Sequence, residues 1–119
     1  MSLKQHFKNM RNNYVIKQVQ RINIPEFAES PTRRYRMIFS GRVQHVGFRF
    51  ETRELAKRLK LTGFCGNRED GNVLAEIQGP ENKINFLVDF MKSLVRIKIK
   101  NIVVDELKPI ENENDFKKI

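Results

Sequence analysis

From Tyr35 onward the apolar and polar positions change period several times, and each change marks an element. Tyr35 to Ser40 reads as a strand bounded by Gly41. A glycine-containing loop, Gly41 to Gly47, leads into a helix. That helix carries Phe48, Thr52, Leu55 and Leu59 on one face, with Arg53, Lys57, Arg58 and Lys60 exposed. Gly63 is the expected helix stop, and Phe64 to Asn67 a second strand. Glu69-Asp70-Gly71-Asn72 predicts a hairpin turn, because Asp-Gly supplies the positive φ such turns need. Val73 to Gln78 follows as a third strand, with Val73, Ala75 and Ile77 alternating. Gly79-Pro80-Glu81 opens a second helix, proline being suited to the first helical position. Its apolar stripe is Ile84, Leu87, Met91 and Leu94. Ile99 to Leu107 reads as a fourth strand stopped by Pro109, and the tail from Asp115 to Ile119 is placed to add a short edge strand. The order β-α-β-β-α-β predicts an α+β, ferredoxin-like sandwich, an antiparallel sheet with two helices on one face.

Residues 1–34 read as an N-terminal extension to a domain spanning 35–119. Leu3, Phe7, Met10 and Tyr14 recur at helical spacing, Ser2 with Gln5 suits a capping box, and Lys4, Lys8 and Arg11 fall mostly off the apolar stripe. An amphipathic helix is expected, although Ile22 and Ile24 alternate as the start of a strand would. Pro25 and Glu29-Ser30-Pro31-Thr32 have linker composition. A packing or oligomerisation arm fits this segment better than a membrane-binding one.

Composition narrows the functions available. A chain of 119 residues holds one domain comfortably. Its formal net charge of +9 attracts anions, whether nucleic acid, acidic membrane or phosphorylated metabolite. Met1 to Ile24 contains no Asp or Glu, which keeps a mitochondrial transit peptide in view, but the secretory apolar core is missing. No apolar run is long enough to span a bilayer. The lone Cys65 excludes an intrachain disulfide and is too isolated for a zinc site, so a reducing, cytoplasmic setting is expected.

The chemistry concentrates in Gly41-Arg42-Val43-Gln44-His45-Val46-Gly47-Phe48-Arg49, where a strand runs through a loop into a helix. A helix N-terminus offers unpaired N–H groups and the positive end of the helix dipole, and a preceding loop can curl further N–H groups around an anion. Arg49 in the first turn adds a cation suited to a tetrahedral oxyanion. As a bare pattern of two glycines and an arginine, this equally describes an ordinary strand-to-helix turn with a surface Arg.

The full run resembles the acylphosphatase signature Gly-x-Val-Gln-Gly-Val-x-Phe-Arg. A second family segment, Gly-aromatic-Val-x-Asn, has its counterpart in Gly63-Phe64-Cys65-Gly66-Asn67, followed by a family-like Asp70-Gly71-Asn72-Val73 turn. Gln78-Gly79-Pro80 resembles the family's helix entry, and the resemblance covers Tyr35 to the C-terminus. It implies metal-independent hydrolysis of small acyl phosphates with no cofactor. Arg49 would bind phosphate within the loop Gln44-His45-Val46-Gly47-Phe48, and Asn67 would orient the attacking water. The partners implied are a small acyl phosphate and inorganic phosphate, without nucleic acid or membrane, with self-association through the extension left open. Two departures stand out. His45 replaces the usual Gly, and is expected to be tolerated and surface-pointing. Cys65 replaces a Val, and is expected to be a buried small hydrophobe rather than a reactive thiol. A catalytically weak binding domain on the same scaffold is the first alternative. An RNA-recognition module shares the element order, but it would need aromatics on its first and third strands. The third strand here has none, and Tyr35 and Phe39 are read as edge and core residues. No zinc-finger cysteines follow, which argues against the acylphosphatase domain of a larger hydrogenase-maturation protein.

Overall fold

The computed structural model describes residues 1–119. Helix α1 (Leu3–Arg21) is followed by β1 (Thr32–Arg42), α2 (Phe48–Arg58), β2 (Thr62–Asn67), β3 (Val73–Pro80), α3 (Glu81–Ser93), β4 (Lys98–Leu107) and β5 (Phe116–Lys118). The sheet order is β4-β1-β3-β2-β5, the ferredoxin-like arrangement with one strand added. All pairings among the first four strands are antiparallel, whereas β5 joins β2 in parallel, giving a mixed sheet. The tail thus forms the short edge strand its sequence allowed.

The helix-facing side of the sheet is built by alternation. Val73, Ala75 and Ile77 are fully buried, as are Leu55, Ile84, Leu87 and Met91 of the helices above them. Met37 and Phe39 of β1 join this core, and the Phe39 and Phe48 rings stack tilted at 4.9 Å, tying β1 to the first turn of α2. On the opposite face β1 and β3 present Arg34, Arg36, Ile38, Leu74, Glu76 and Gln78, so neither strand offers the aromatic platform of an RNA-recognition module. Arg34 is 1% exposed there. It is held by Glu76 at 3.0 Å, Glu113 at 2.8 Å and Gln78 at 3.1 Å, which pins the segment before β5 across the sheet. Burial opposes ionisation of Glu113, but hydrogen bonds from Arg34 and Thr62 outweigh it and hold its carboxyl below the usual range.

Several local expectations change. β1 starts at Thr32, three residues before the expected strand, because Thr32, Arg33 and Arg34 pair with Pro80, Gly79 and Gln78. The turn after α2 is made by Lys60 at φ 59, with Leu61 N–H reaching back to the Ala56 carbonyl. Gly63 instead lies inside β2, where a Cβ would sit 1.9 Å from the Glu76 carbonyl oxygen. It permits close approach of β3 rather than ending a helix. Ile22 and Ile24 belong to no ladder and pack, half-buried, against the core.

The largest difference concerns α1. Ser2 caps it as expected, accepting from the Gln5 N–H at 3.0 Å, but the Gln5 side chain turns to Asn9 rather than completing the box. Leu3, Phe7, Met10 and Tyr14 are all more than half exposed, so the expected stripe is not the docking face. Val15 and Val19 are, with exposures of 0% and 4%, packed into the same core as the sheet. Arg58 of α2 donates to the Val19 carbonyl and fixes the C-terminal half of α1 against the domain.

Candidate active site

The loop between β1 and α2 turns through two residues of positive φ, His45 at 64° and Gly47 at 81°. Gly47 is the N-cap of α2 and supplies no side-chain cap, so the first turn keeps its N–H groups uncapped. None of the main-chain N–H groups of residues 44–50 donates to a carbonyl. The loop carbonyls, by contrast, are engaged. Arg96 donates to Val46, Glu51 N–H donates to Gly47, and Arg11 reaches His45 at 3.5 Å. Carbonyls secured and N–H groups unspent is the condition for a backbone anion cradle.

His45, Gly47, Phe48 and Arg49 line one cavity of about 430 Å³ together with Asn67, which is exposed at the end of β2. Arg49 is half-buried and its Nη1 donates to the Ile119 main-chain oxygen at 2.9 Å. The structure therefore brings Arg49 and Asn67 from separate elements to one cavity. Gln44 and Val46 do not put side chains into it. Gln44 Nε2 donates to the Arg68 and Asn72 carbonyls, each at 2.8 Å, clamping the β2–β3 turn beneath the loop. A side chain that bonds both carbonyls of that turn fixes the loop against the β2–β3 hairpin.

Five cations line the cavity, Lys4, Lys8, Arg11, Arg49 and Lys118, and no carboxylate does. Burial lowers the Arg11 pKa, and Arg96 and Arg49 lower it further; burial likewise lowers that of Lys118, with Arg49, Lys8 and other cations adding repulsion. An anion in the cavity would relieve this crowding. Behind the loop, Arg96 pairs with the buried Glu51 at 3.0 Å. Burial pushes the Glu51 carboxyl up, and Arg96 opposes it. Cys65 is fully buried, and burial lifts its thiol to about 12, consistent with an inert core position. Sequence reasoning missed the braces Glu51 and Arg96, which carry no local signal, and missed Lys4, Lys8 and Arg11, whose placement depends on how α1 docks.

No three His, Cys, Asp or Glu side chains come together where they could hold a metal ion, and no helix is long and apolar enough to cross a membrane.

Comparison with known proteins agrees with this geometry. The acylphosphatase family model matches residues 35–118. The chain is 40% identical over 79 residues to an acylphosphatase of Picrophilus torridus, covering 66% of this chain and 93% of that protein. It is 36% identical to the acylphosphatase of Bacillus subtilis in its crystal structure, with a TM-score of 0.68 over 73% of this chain and 98% of that one. An acylphosphatase from Coxiella burnetii superposes with a TM-score of 0.66 at 27% identity, over 74% of this chain and 93% of that one. With both sequence signatures folded into one cavity and a family match over most of the chain, this protein belongs to the acylphosphatase family.

Proposed function

We propose that the cavity between the 41–49 loop and the end of β2 is where this enzyme hydrolyses small acyl phosphates to a carboxylate and inorganic phosphate. The observation that carries the assignment is the run of unpartnered N–H groups at residues 44–50, beside Arg49 and Asn67. The phosphoryl oxygens are bound by the loop N–H groups and by Arg49, whose charge follows them into the transition state. Asn67 holds a water in line with the phosphorus. The water oxygen bonds to phosphorus as the bond from phosphorus to the acyl oxygen breaks, and the electron pair leaves on the carboxylate. The proton released passes to phosphate or solvent. The carboxylate is a stabilised leaving group, so positioning and charge supply most of the acceleration without a strong general acid. His45 lends its main chain to the cradle and is a tolerated replacement for glycine. A cytosolic setting fits the single unpaired Cys65.

Two variants test the roles. Arg49→Gln should lower phosphate release from acetyl phosphate by on the order of a hundredfold or more, with weakened binding of inorganic phosphate by calorimetry. Asn67→Ala should lower turnover by on the order of a hundredfold while leaving phosphate affinity near wild type. A folded Arg49→Gln protein with normal phosphate affinity, or an Asn67→Ala protein that loses phosphate but keeps turnover at saturation, would show the roles to be wrongly assigned.

A further inference from the structure

The inward face of α1 is a single stripe of Lys4, Lys8, Arg11, Val15 and Val19, spaced as helix neighbours are. Its C-terminal half is apolar and buried over the core, and its N-terminal half is cationic and overhangs the cavity. The change falls where the helix passes from the core onto the phosphate loop. Arg11 sits at the junction. A Cβ on Gly47 would meet its Nε at 2.8 Å, its Nε is buried without a hydrogen-bond partner, and its only reach to the loop is the long contact to His45. A buried guanidinium nitrogen left unpaired beside further cations is costly in the absence of an anion. Lys8 and Lys4 continue the row roughly 4.5 and 10.5 Å along the helix axis from Arg11, by the rise per residue. Lys118 lines the same cavity from β5, so the cations of α1 face a further cation across it. The family match begins at residue 35, so α1 lies outside it.

We propose that α1 forms an additional wall of the acyl-phosphate site, with Arg11, Lys8 and Lys4 reading a second anionic group on the acyl end of the substrate. The preferred substrate class is then an acyl phosphate whose acyl chain ends in a carboxylate or a second phosphate. Phe7 and Phe50, which also line the cavity, flank the intervening carbon chain. The inference rests on the acyl-phosphatase reading of the loop, and adds the substrate class to it.

The experiment compares kcat/KM for succinyl phosphate, which carries a terminal carboxylate, with that for acetyl phosphate, which does not. A bisphosphorylated acyl phosphate of similar length tells a carboxylate preference from a phosphate preference. Wild type should favour the doubly anionic substrates. In Lys8→Ala the ratio of succinyl to acetyl phosphate should fall about tenfold, the order of one charge-assisted hydrogen bond. Lys8→Arg should restore it, and Arg11→Gln should lower it again. Lys57→Ala removes an exposed α2 cation outside the cavity and should leave the ratio unchanged. An unchanged ratio in folded Lys8→Ala and Arg11→Gln proteins, or an equal fall in Lys57→Ala, would overturn the proposal and leave only long-range attraction by net charge. If wild type hydrolyses none of these compounds, the acyl-phosphatase reading itself fails, and the substrate proposal with it.

Discussion

Replacing Val15 and Val19 together by alanine tests whether α1 is part of the domain or an appendage to it. Both valines are essentially buried in the sheet core, so each substitution removes two methyl-sized groups from a packed site. At about 0.8 kcal/mol per buried group, each change costs about 1.6 kcal/mol in transfer energy, before any cavity term. Alanine is the better helix former by about 0.5 kcal/mol per site, which offsets part of the loss. The two positions lie one helical turn apart, so their costs need not add strictly. The net expectation is a loss of about 2–3 kcal/mol, a large share of the roughly 5–15 kcal/mol that holds a small domain together. Urea unfolding followed by circular dichroism should show the midpoint falling by about 1 M or more with a single transition. Leu3→Ala, at a position 69% exposed, serves as the control and should change little. A double variant with the midpoint of wild type, or with α1 melting in a separate earlier step, would refute the claim that this helix shares the core.

Two further outcomes follow from the loop. His45→Gly should keep or raise acetyl phosphate turnover and alter stability by less than about 1 kcal/mol, because relief at φ 64 opposes the added freedom of the unfolded chain; a clear fall in phosphate affinity, with a matching pH dependence in wild type, would make the imidazole a binding group. Gln44→Ala should lower unfolding stability by about 1–3 kcal/mol, from the loss of two hydrogen bonds of 2.8 Å to the β2–β3 turn; a variant of unchanged stability that no longer binds phosphate would return Gln44 to direct substrate contact.

The parts of the fold legible in the sequence were those where one periodicity has one cause. The stripes of α2 and α3 pack on the sheet because nothing else competes for Leu55, Leu59, Ile84 or Leu87. Asp70-Gly71 turns the β2–β3 hairpin for a local reason, with Gly71 at φ 89 and the Asn72 N–H held by Asp70 at 3.0 Å. The loop before α2 was singled out by the resemblance of the whole run Gly41 to Arg49 to a family signature, because a strand-to-helix junction with two glycines and an arginine does not by itself distinguish a site from an ordinary turn. In α1 the inward face is half apolar and half cationic. A search for one hydrophobic stripe therefore selects Leu3, Phe7, Met10 and Tyr14, most of which turn outward. Only the three-dimensional path of the helix, over core first and cavity second, explains why Lys8 and Val15 share a face. Gln44 was assigned to the site from its position within the loop, and no sequence pattern foretold that its amide would be taken by two carbonyls of another turn.

The place of β1 in the sheet bears on the order in which the protein can be assembled. β1 lies inside the sheet, but both neighbours with which it pairs, β3 and β4, lie after it in the chain. During synthesis the strand emerges long before either ladder can close, and each closure spans a long loop whose entropy must first be overcome. The N-terminal helix leaves the ribosome earlier still, with Val15 and Val19 lacking the core that will cover them. A 19-residue helix can begin to form alone but is marginal in water without a packing partner. Its cationic half can come to rest over the loop only once the sheet beneath has closed, so this helix, although it precedes every strand in the chain, depends on all of them for its final place.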